Sequence, residues 1–354
     1  MSASVVIRSG LIGAAVIAAT IGFVNITLGS AIVGVTRRVP VELATAANTD
    51  AMKAEYRRPV FIPFPKENPY TLAKAALGKK LYFDPRLSAM SAQSCASCHT
   101  PGFGWGDGLA LGVGRGMTKL DRRSPTIINS AWGARFMWDG RAQNLEQQVL
   151  LPIQSAGEMN MPIEQLASIT EYRLLFASTF PERGMNPTTL AEAIATYERT
   201  VVSERSPFDA WIEGDERAIP EAAKRGFAIF NSKGQCSLCH EGWNFTNDSF
   251  HDTGLRSTDS GRAALLPNIP KMMHAFKTPG LREIERRSPY MHDGSIATLE
   301  EVVEHYDGGG TDRPSRSDLI GPLGLTPQDK SDLVAFLKTL TGNPGPTIIP
   351  VLPR

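Results

Sequence analysis

The sequence has few cysteines and no excess of charge of either sign. It has only four Cys among 354 residues, and its 37 basic and 36 acidic residues leave a net charge of +1. This balance gives no electrostatic reason to expect binding to nucleic acid or to a strongly acidic partner. Strands with alternating apolar and polar residues are scarce, which argues against a β-rich fold. One stretch, residues 10–36, has no charged residue at all.

The four cysteines form two C-x-x-C-H motifs. In such a motif, two thiols can add to the two vinyl groups of one porphyrin, and the His that follows can supply a nitrogen to the iron. A zinc knuckle needs four ligands, and a thioredoxin-type dithiol needs no His after it. The sequence therefore predicts two covalently bound haem c groups, which use all four thiols. The motif residues are Cys95, Cys98 and His99 in the first motif and Cys236, Cys239 and His240 in the second.

The uncharged stretch is long enough to span a bilayer as a helix, and it is longer than the apolar core of most signal peptides. Small residues from Gly29 to Ala31 offer a cleavage site. An uncleaved anchor and a cleaved signal both remain open, and the anchor is favoured. Because c-type haem is attached outside the cytoplasmic membrane, we expect a periplasmic protein, tethered to the inner membrane if residues 10–36 are retained.

Helical patterns separated by long loops predict an all-α fold. Four stretches have apolar residues at helical spacing or a Pro near a helix start, namely residues 72–83, 186–203, 220–230 and 326–340. We predict two tandem cytochrome c-like haem domains behind an N-terminal signal or anchor helix. The predicted boundaries are 1–38 for the signal or membrane anchor, 39–68 for a tether, 69–212 for the N-terminal haem domain and 213–354 for the C-terminal haem domain.

A segment that follows the first motif recurs 154 residues later. The sequence Met-Trp-Asp-Gly at residues 137–140 matches Met-His-Asp-Gly at residues 291–294, and the same apolar pattern follows both copies. This repeat indicates one haem domain that was duplicated. Trp138 and His292 hold equivalent positions, and the polar His292 indicates a place at a haem edge. Without the repeat, core packing would be the simpler role for Trp138.

At the same offset, Tyr306 falls on Pro152. A phenolate oxygen can coordinate ferric iron, whereas Pro has no ligating group and no N–H. If this position faces the iron in both domains, the second iron is closed and the first is open to peroxide. The alternative role for Tyr306 is packing within a helix. Three Met residues remain as possible ligands that would close the first iron: Met117, Met159 and Met161.

Further motifs cover most of the chain between residues 77 and 340. They are Leu77–Asp84, Arg123–Thr126, Trp138–Ala142, Gly157–Met159, Asn244–Thr246, Phe250–Gly254 and Pro289–Gly294, in addition to the two C-x-x-C-H motifs. In these motifs the chain resembles the bacterial dihaem cytochrome c peroxidase and MauG superfamily. The resemblance implies an N-terminal haem that reacts with peroxide and a C-terminal haem with two protein ligands.

The resemblance also implies which residues serve the two haems. His99 is expected to be the proximal ligand of the reactive haem, and His240 and Tyr306 the two axial ligands of the second haem. Trp138 is expected to lie between the haems as their electronic bridge. Classical peroxidases of this family carry Met at the position of Tyr306, so Tyr306 is a feature of the MauG-type branch.

The distal pocket of the reactive haem is expected to contain Gln148, Pro152 and Glu158. Glu158 would be the acid–base group for O–O cleavage, although a Glu taken alone is more often a surface carboxylate. Where classical peroxidases have a displaceable distal His, this chain has Arg115. That side chain either reaches the pocket and stabilises an oxygen there, or belongs to a solvated loop.

The resemblance also raises the question of a calcium ion between the haems. Arg123 stands at the family's Asn ligand position, which argues against calcium, while carbonyl groups near Arg287 and Pro289 remain as potential ligands.

Three functions follow as hypotheses. The leading one is a MauG-like oxidase, in which hydrogen peroxide reacts at the His99 haem and a partner protein's aromatic residue is oxidised. The second is a cytochrome c peroxidase that reduces peroxide to water with electrons from a small redox protein. The third is a dihaem electron carrier without catalysis, which requires a Met ligand on the first iron.

Overall fold

The computed structural model of the chain describes residues 46–354. Within this range, no helix combines the length and the apolar character needed to cross a bilayer. The predicted signal or anchor at residues 10–36 lies outside the described residues. The helices are α1 (Ala46–Glu55), α2 (Leu72–Phe83), α3 (Cys95–Cys98), α4 (Leu145–Gln154), α5 (Ile163–Ala167), α6 (Thr170–Thr179), α7 (Pro187–Arg199), α8 (Pro207–Ile212), α9 (Glu221–Phe230), α10 (Leu299–Asp307) and α11 (Pro327–Lys338).

The fold is rich in helix and contains little sheet. Strands β1 (Phe250–His251) and β2 (Phe276–Lys277) form an antiparallel pair, with Phe250 opposite Lys277 and His251 opposite Phe276. Long loops with short 3-10 turns connect the helices. The prediction of an all-α fold therefore holds except for this small sheet.

The predicted start of α7 is confirmed by its capping residue. The Asn186 side chain accepts hydrogen bonds from the N–H groups of Thr188 and Thr189 at 3.0 and 3.1 Å, and Pro187 occupies the first turn of α7. This helix ends at Arg199 and does not continue to residue 203 as predicted. Beyond the helix end, the Asn129 side-chain oxygen accepts a hydrogen bond from the Ser203 N–H at 2.9 Å.

Each half of the structure is built around one close helix crossing. A Cβ placed on Gly78 of α2 would lie 1.8 Å from the Ala193 carbonyl oxygen of α7. A Cβ on Gly226 of α9 would lie 2.0 Å from the Asp332 carbonyl oxygen of α11. Only glycine permits backbones to approach this closely, so the pairs α2–α7 and α9–α11 are equivalent.

Two hydrophobic cores surround these crossings. The first contains residues of α2, α4, α6 and α7, and the second contains residues of α8, α9 and α11. Tyr56, from the segment predicted as a tether, is also buried in the second core, where it stacks on Phe245 at 4.8 Å and donates to Asn231 Oδ1 at 2.7 Å. Each large side chain buried in this way contributes about 1.5–3 kcal/mol.

The repeat in the sequence is also a repeat in the backbone. A bridge between Phe136 and Ala142 has its counterpart between Tyr290 and Ile296, and each of these positions is shifted by 154 residues. Helices α4 and α10 begin at Leu145 and Leu299, again 154 residues apart. The duplication therefore places the same loop and helix beside each C-x-x-C-H motif.

Candidate functional site

The structure brings the residues of the two motifs to three cavities. The first cavity is lined by residues that include Cys95, Cys98, His99, Gln148, Pro152, Glu158 and Glu198. The central cavity shares His99 and Gln148 with it and extends to Trp138, Arg123 and Arg287. The second cavity is lined by residues that include Cys236, Cys239, His240, His251, His292 and Tyr306, together with many Leu and Val side chains.

Both motif histidines are held by backbone carbonyls on the same ring nitrogen. His99 Nδ1 lies 2.8 Å from the Pro125 oxygen, and His240 Nδ1 lies 2.9 Å from the Phe245 oxygen. Because a carbonyl only accepts hydrogen bonds, Nδ1 carries the proton and Nε2 is free to bind iron. Burial lowers the pKa of His99 and lowers that of His240 to about 4, so both imidazoles are neutral, as a metal ligand must be.

The four thiols are in surroundings unlike those of a redox dithiol. Burial raises the pKa of the Cys98 thiol to about 11 and that of Cys236 to about 12, and it also raises the pKa of Cys95 and Cys239. A redox-active C-x-x-C needs a lowered thiol pKa. The thiol environment therefore fits covalent attachment of a porphyrin better than disulfide exchange.

Several buried polar atoms on the cavity walls have no hydrogen-bond partner among residues 46–354. They include Gln148 Oε1, His251 Nε2, Arg123 Nε and Arg287 Nε. An unpaired buried polar group costs about 1–3 kcal/mol, so these atoms indicate a ligand with polar and anionic groups. Haem, with an apolar ring, two carboxylates and an iron, fits such walls.

Trp138 lies at the junction of the central and second cavities and lines both. Its indole Nε1 donates to the Arg123 carbonyl oxygen at 2.9 Å. The Trp138 ring lies 6.4 Å from the ring of His292, which in turn stacks on Phe276 at 3.6 Å. His292 is 5% exposed and lines the second cavity, so its predicted place at a haem edge agrees with its position.

The predicted distal residues lie together in the first cavity, with the exception of Arg115. Burial raises the pKa of Glu158, as the proposed acid–base role requires. Arg115 is exposed, does not line this cavity, and donates from Nε to the Ala156 oxygen at 3.0 Å. Of the two roles considered for Arg115, its position favours the solvated loop residue. Met159 lines the cavity but is packed in the first core.

Tyr306 and Pro152 occupy equivalent places on the equivalent helices α10 and α4. Tyr306 lines the second cavity with His240, whereas Pro152 lines the first cavity with His99. Burial raises the pKa of the Tyr306 phenol. Its phenolate therefore requires a nearby cation, and ferric iron would supply one.

The residues around Arg123 do not fit a calcium ion. Its guanidinium Nη1 donates to the Arg287 carbonyl oxygen at 2.7 Å and also to the Pro289 carbonyl oxygen. These are the carbonyl groups that were expected to remain available for calcium. Because a side-chain cation already occupies the space between them, calcium has no vacant set of oxygens here.

Sequence reasoning missed the buried carboxyl of Glu198. It is 3% exposed and lines the first cavity, and burial raises its pKa to about 8. In the sequence it resembles an ordinary polar residue near a helix end. An alignment of the two glycine helix crossings reveals the difference. Five residues after the contacted carbonyl of Ala193 the first half has Glu198, whereas five residues after that of Asp332 the second half has Leu337.

Comparisons with known proteins agree with this geometry. The family described as Di-haem cytochrome c peroxidase matches residues 72–217, and the family Cytochrome c matches residues 223–341. The methylamine utilization protein MauG of Methylorubrum extorquens is 47% identical over 317 residues, covering 88% of this chain and 90% of that protein. A cytochrome-c peroxidase of Denitromonas iodatirespirans is 37% identical over 318 residues, covering 79% and 84%.

A solved structure shows the same fold. The crystal structure of a MauG-like protein associated with microbial copper homeostasis has a TM-score of 0.73 and 32% sequence identity, covering 80% of this chain and 94% of that one. The chain thus has two tandem cytochrome c-type domains that carry two covalently bound c-type haems. It belongs to the di-haem cytochrome c peroxidase family that includes MauG, and it is an oxidoreductase that acts on peroxide.

Proposed function

We propose that the chain is a peroxide-dependent oxidase of MauG type. Hydrogen peroxide is cleaved in the first cavity, the oxidising equivalents are shared with the second cavity, and the electrons come from an aromatic residue of a partner protein. The two haems supply the redox-active iron for this chemistry. The enzyme works in the periplasm, because c-type haem is attached outside the cytoplasmic membrane.

The observation that carries this proposal is the contrast between Pro152 and Tyr306. Both side chains face the cavity beside a C-x-x-C-H motif, but only the phenol can bind iron. The first domain therefore keeps one face of its haem site open to peroxide. The second domain has His240 and Tyr306 on its cavity wall as a pair of ligands, and a phenolate favours oxidised iron.

Glu158 and Gln148 are the groups that handle peroxide. The Glu158 carboxyl, protonated to a higher pH than an ordinary Glu, gives a proton to the leaving oxygen when the O–O bond breaks. The unpartnered Gln148 Oε1 accepts a hydrogen bond from peroxide and orients it. Pro152 has no group that competes with peroxide for the open position.

Trp138 connects the two reaction centres. It lines the wall between the central and second cavities, and its indole N–H is held by the Arg123 carbonyl. An aromatic ring fixed in this way provides an electronic path between the domains 69–212 and 213–354, which we assign as the peroxidatic and the electron-transfer domain.

A cytochrome c peroxidase activity is the second candidate, and the 37% identical relative named as such a peroxidase favours it. In that case the electrons come from a small cytochrome or cupredoxin. Peroxide added to the fully oxidised protein separates the two functions. The oxidase should react at once and keep two oxidising equivalents, whereas a peroxidase should require prior reduction of one haem and then consume reduced cytochrome c rapidly. Rapid turnover only after reduction would refute the oxidase proposal.

A further inference from the structure

The last turn of α7 carries a carboxyl that the proposed function does not use. Glu198 is 3% exposed and lines the first cavity together with Cys95 and Glu158. Its Oε2 is completely buried and has no hydrogen-bond partner among the residues that the structure describes. An ionised carboxylate in this position is strongly unfavourable, so the carboxyl is held as the neutral acid.

The second domain shows that the fold does not need this carboxyl. The close crossing of α2 and α7 at Gly78 corresponds to that of α9 and α11 at Gly226, with Tyr197 and Phe336 as the matching aromatic contacts. One residue further along, Glu198 corresponds to Leu337, which lines the second cavity. A leucine is thus sufficient for packing at this position, and only the domain with the open haem site has an acid.

The groups that face Glu198 agree with a neutral acid. Burial is the main cause that raises its pKa to about 8, and the Glu146 carboxylate on α4 raises it further, while Arg199 lowers it. The neighbouring Tyr82 and Tyr197 have pKa values far above neutral and carry no charge. Cys95 is the remaining titratable neighbour, and its thiol is the one that attaches haem. At pH 7, therefore, Glu198 holds a proton beside the cavity in which peroxide reacts.

We propose that Glu198 supplies the proton that returns the Glu158 carboxylate to its acid form during turnover, an inference that rests on the acid–base role given to Glu158 above. Reduction of one hydrogen peroxide to two waters takes up two electrons, which the reducing partner supplies, and two protons. Glu158 first gives its proton to a peroxide oxygen and becomes a carboxylate. The O–H bond of Glu198 then breaks, and a new O–H bond forms on Glu158. Water that bridges the two polar groups can carry this proton, and Glu198 then takes up a proton from solvent.

The test compares Glu198→Gln and Glu198→Asp with the wild-type holoprotein. Glu192→Gln is the matched control, because Glu192 lies on the same helix but pairs with Arg183. Steady-state turnover of Glu198→Gln at pH 7 should fall about 10²-fold. The single reaction with the first peroxide should change little, because Glu198 acts only after Glu158 has given up its proton. Wild-type turnover should decline above pH 8 as Glu198 ionises. This decline, distinct from the one set by Glu158, should be absent in Glu198→Gln and restored in Glu198→Asp.

Turnover and a pH profile of Glu198→Gln that match those of Glu192→Gln would overturn the inference. If Glu158→Gln slows peroxide cleavage while Glu198→Gln turns over normally, this inference fails and the proposed function stands. If Glu158→Gln has no effect, the proposed function fails at its acid–base step.

Thermal unfolding of the holoprotein separates proton supply from a structural role. Glu198→Leu copies the packing of Leu337 and removes an unpartnered buried oxygen. Its Tm should be equal to or above that of the wild type, most clearly at pH 9, although its turnover falls. A lower Tm at pH 7 would show that Glu198 stabilises the fold and would overturn the inference.

If the variants do not bind haem, the infrared spectrum of the wild type decides, because a protonated carboxyl band present at pH 7 should disappear by pH 9.

Discussion

The two haem domains use the same backbone for different chemistry. The loop from Met137 and helix α4 have the same geometry as the loop from Met291 and helix α10, 154 residues later. Three pairs of residues distinguish the domains, two within this repeat and the third at the equivalent helix crossings of α7 and α11. The pairs are Pro152 and Tyr306, Trp138 and His292, and Glu198 and Leu337. Duplication thus preserved the binding of haem, and the differences on the cavity walls are the basis for the proposed contrast between an open and a closed haem site.

Replacing Tyr306 with Phe should remove the difference between the two domains and have the largest effect. The ring stays and the oxygen is lost, so the second iron site opens in the same way as the first. We expect a changed absorption spectrum of the second haem and complete loss of the long-lived state that stores two oxidising equivalents. Stopped-flow spectroscopy with one equivalent of peroxide measures both the spectrum and the lifetime of that state. The matched control is Tyr197→Phe, which is in the first core; an unchanged stored state in Tyr306→Phe would remove the reason for the oxidase proposal.

Replacing Glu158 with Gln should impair the first domain alone. The amide cannot give a proton, so the rate of peroxide cleavage should fall about 10²- to 10⁴-fold. Rapid mixing of the oxidised protein with peroxide measures this rate, and the exposed Glu164→Gln serves as control. A rate equal to that of the control would show that the carboxyl takes no part.

The raised pKa of Glu158 also predicts the pH dependence of the first domain. Since the acid form persists to a higher pH than in an ordinary Glu, cleavage should slow as the pH rises through this raised value. The folded state also binds more protons than the unfolded state between the ordinary Glu pKa and the raised one. The contribution of Glu158 to stability therefore decreases as the pH rises through this window. Tm measured across that range should fall less steeply in Glu158→Gln; an equal slope would contradict a raised pKa of Glu158.

Replacing Trp138 with Phe should weaken the connection between the domains while leaving each of them intact. The variant loses the hydrogen bond to the Arg123 carbonyl, worth about 1 kcal/mol, and the large indole. We expect about tenfold slower electron exchange between the haems, measured by flash photolysis of the half-reduced protein, with only a small change in Tm. Trp211→Phe, a change in the second core, should leave the exchange rate unaltered. Equal rates in the two variants would exclude Trp138 as the bridge.

Calcium chelation should have the smallest effect. Because the Arg123 guanidinium already occupies the carbonyl groups of Arg287 and Pro289, a chelator should leave the spectra, the Tm and the rate of peroxide cleavage unchanged. Metal analysis after dialysis against calcium should find less than stoichiometric calcium. A loss of activity on chelation that calcium restores would contradict this account of Arg123.

Much of the similarity and the difference between the two haem domains could be predicted from the sequence. The two C-x-x-C-H motifs, the 154-residue repeat and the start of α7 at Asn186 depend on local spacing and capping, which the sequence displays directly. The placement of Pro152 and Tyr306 on their cavities follows from the same repeat. The apolar pattern likewise predicts helix α2 over its full length, residues 72–83.

Long-range contacts could not be predicted in this way. Glu198 resembles a surface residue until α7 is packed on α2. Arg123 meets the Arg287 carbonyl only because two distant loops adjoin, and Arg115 could be placed only once its bond to Ala156 was known. Tyr56 belongs to a segment with no core pattern, yet it is 1% exposed within the second core.

The electron paramagnetic resonance spectrum of the fully oxidised holoprotein tests the central claim most directly. One domain with an open face and another with His240 and Tyr306 as ligands should give two unlike ferric signals, one high-spin and one low-spin. Only the high-spin signal should be lost at once when peroxide is added. Two low-spin signals, both unaffected by peroxide, would show that a side chain closes the His99 site and would contradict the account.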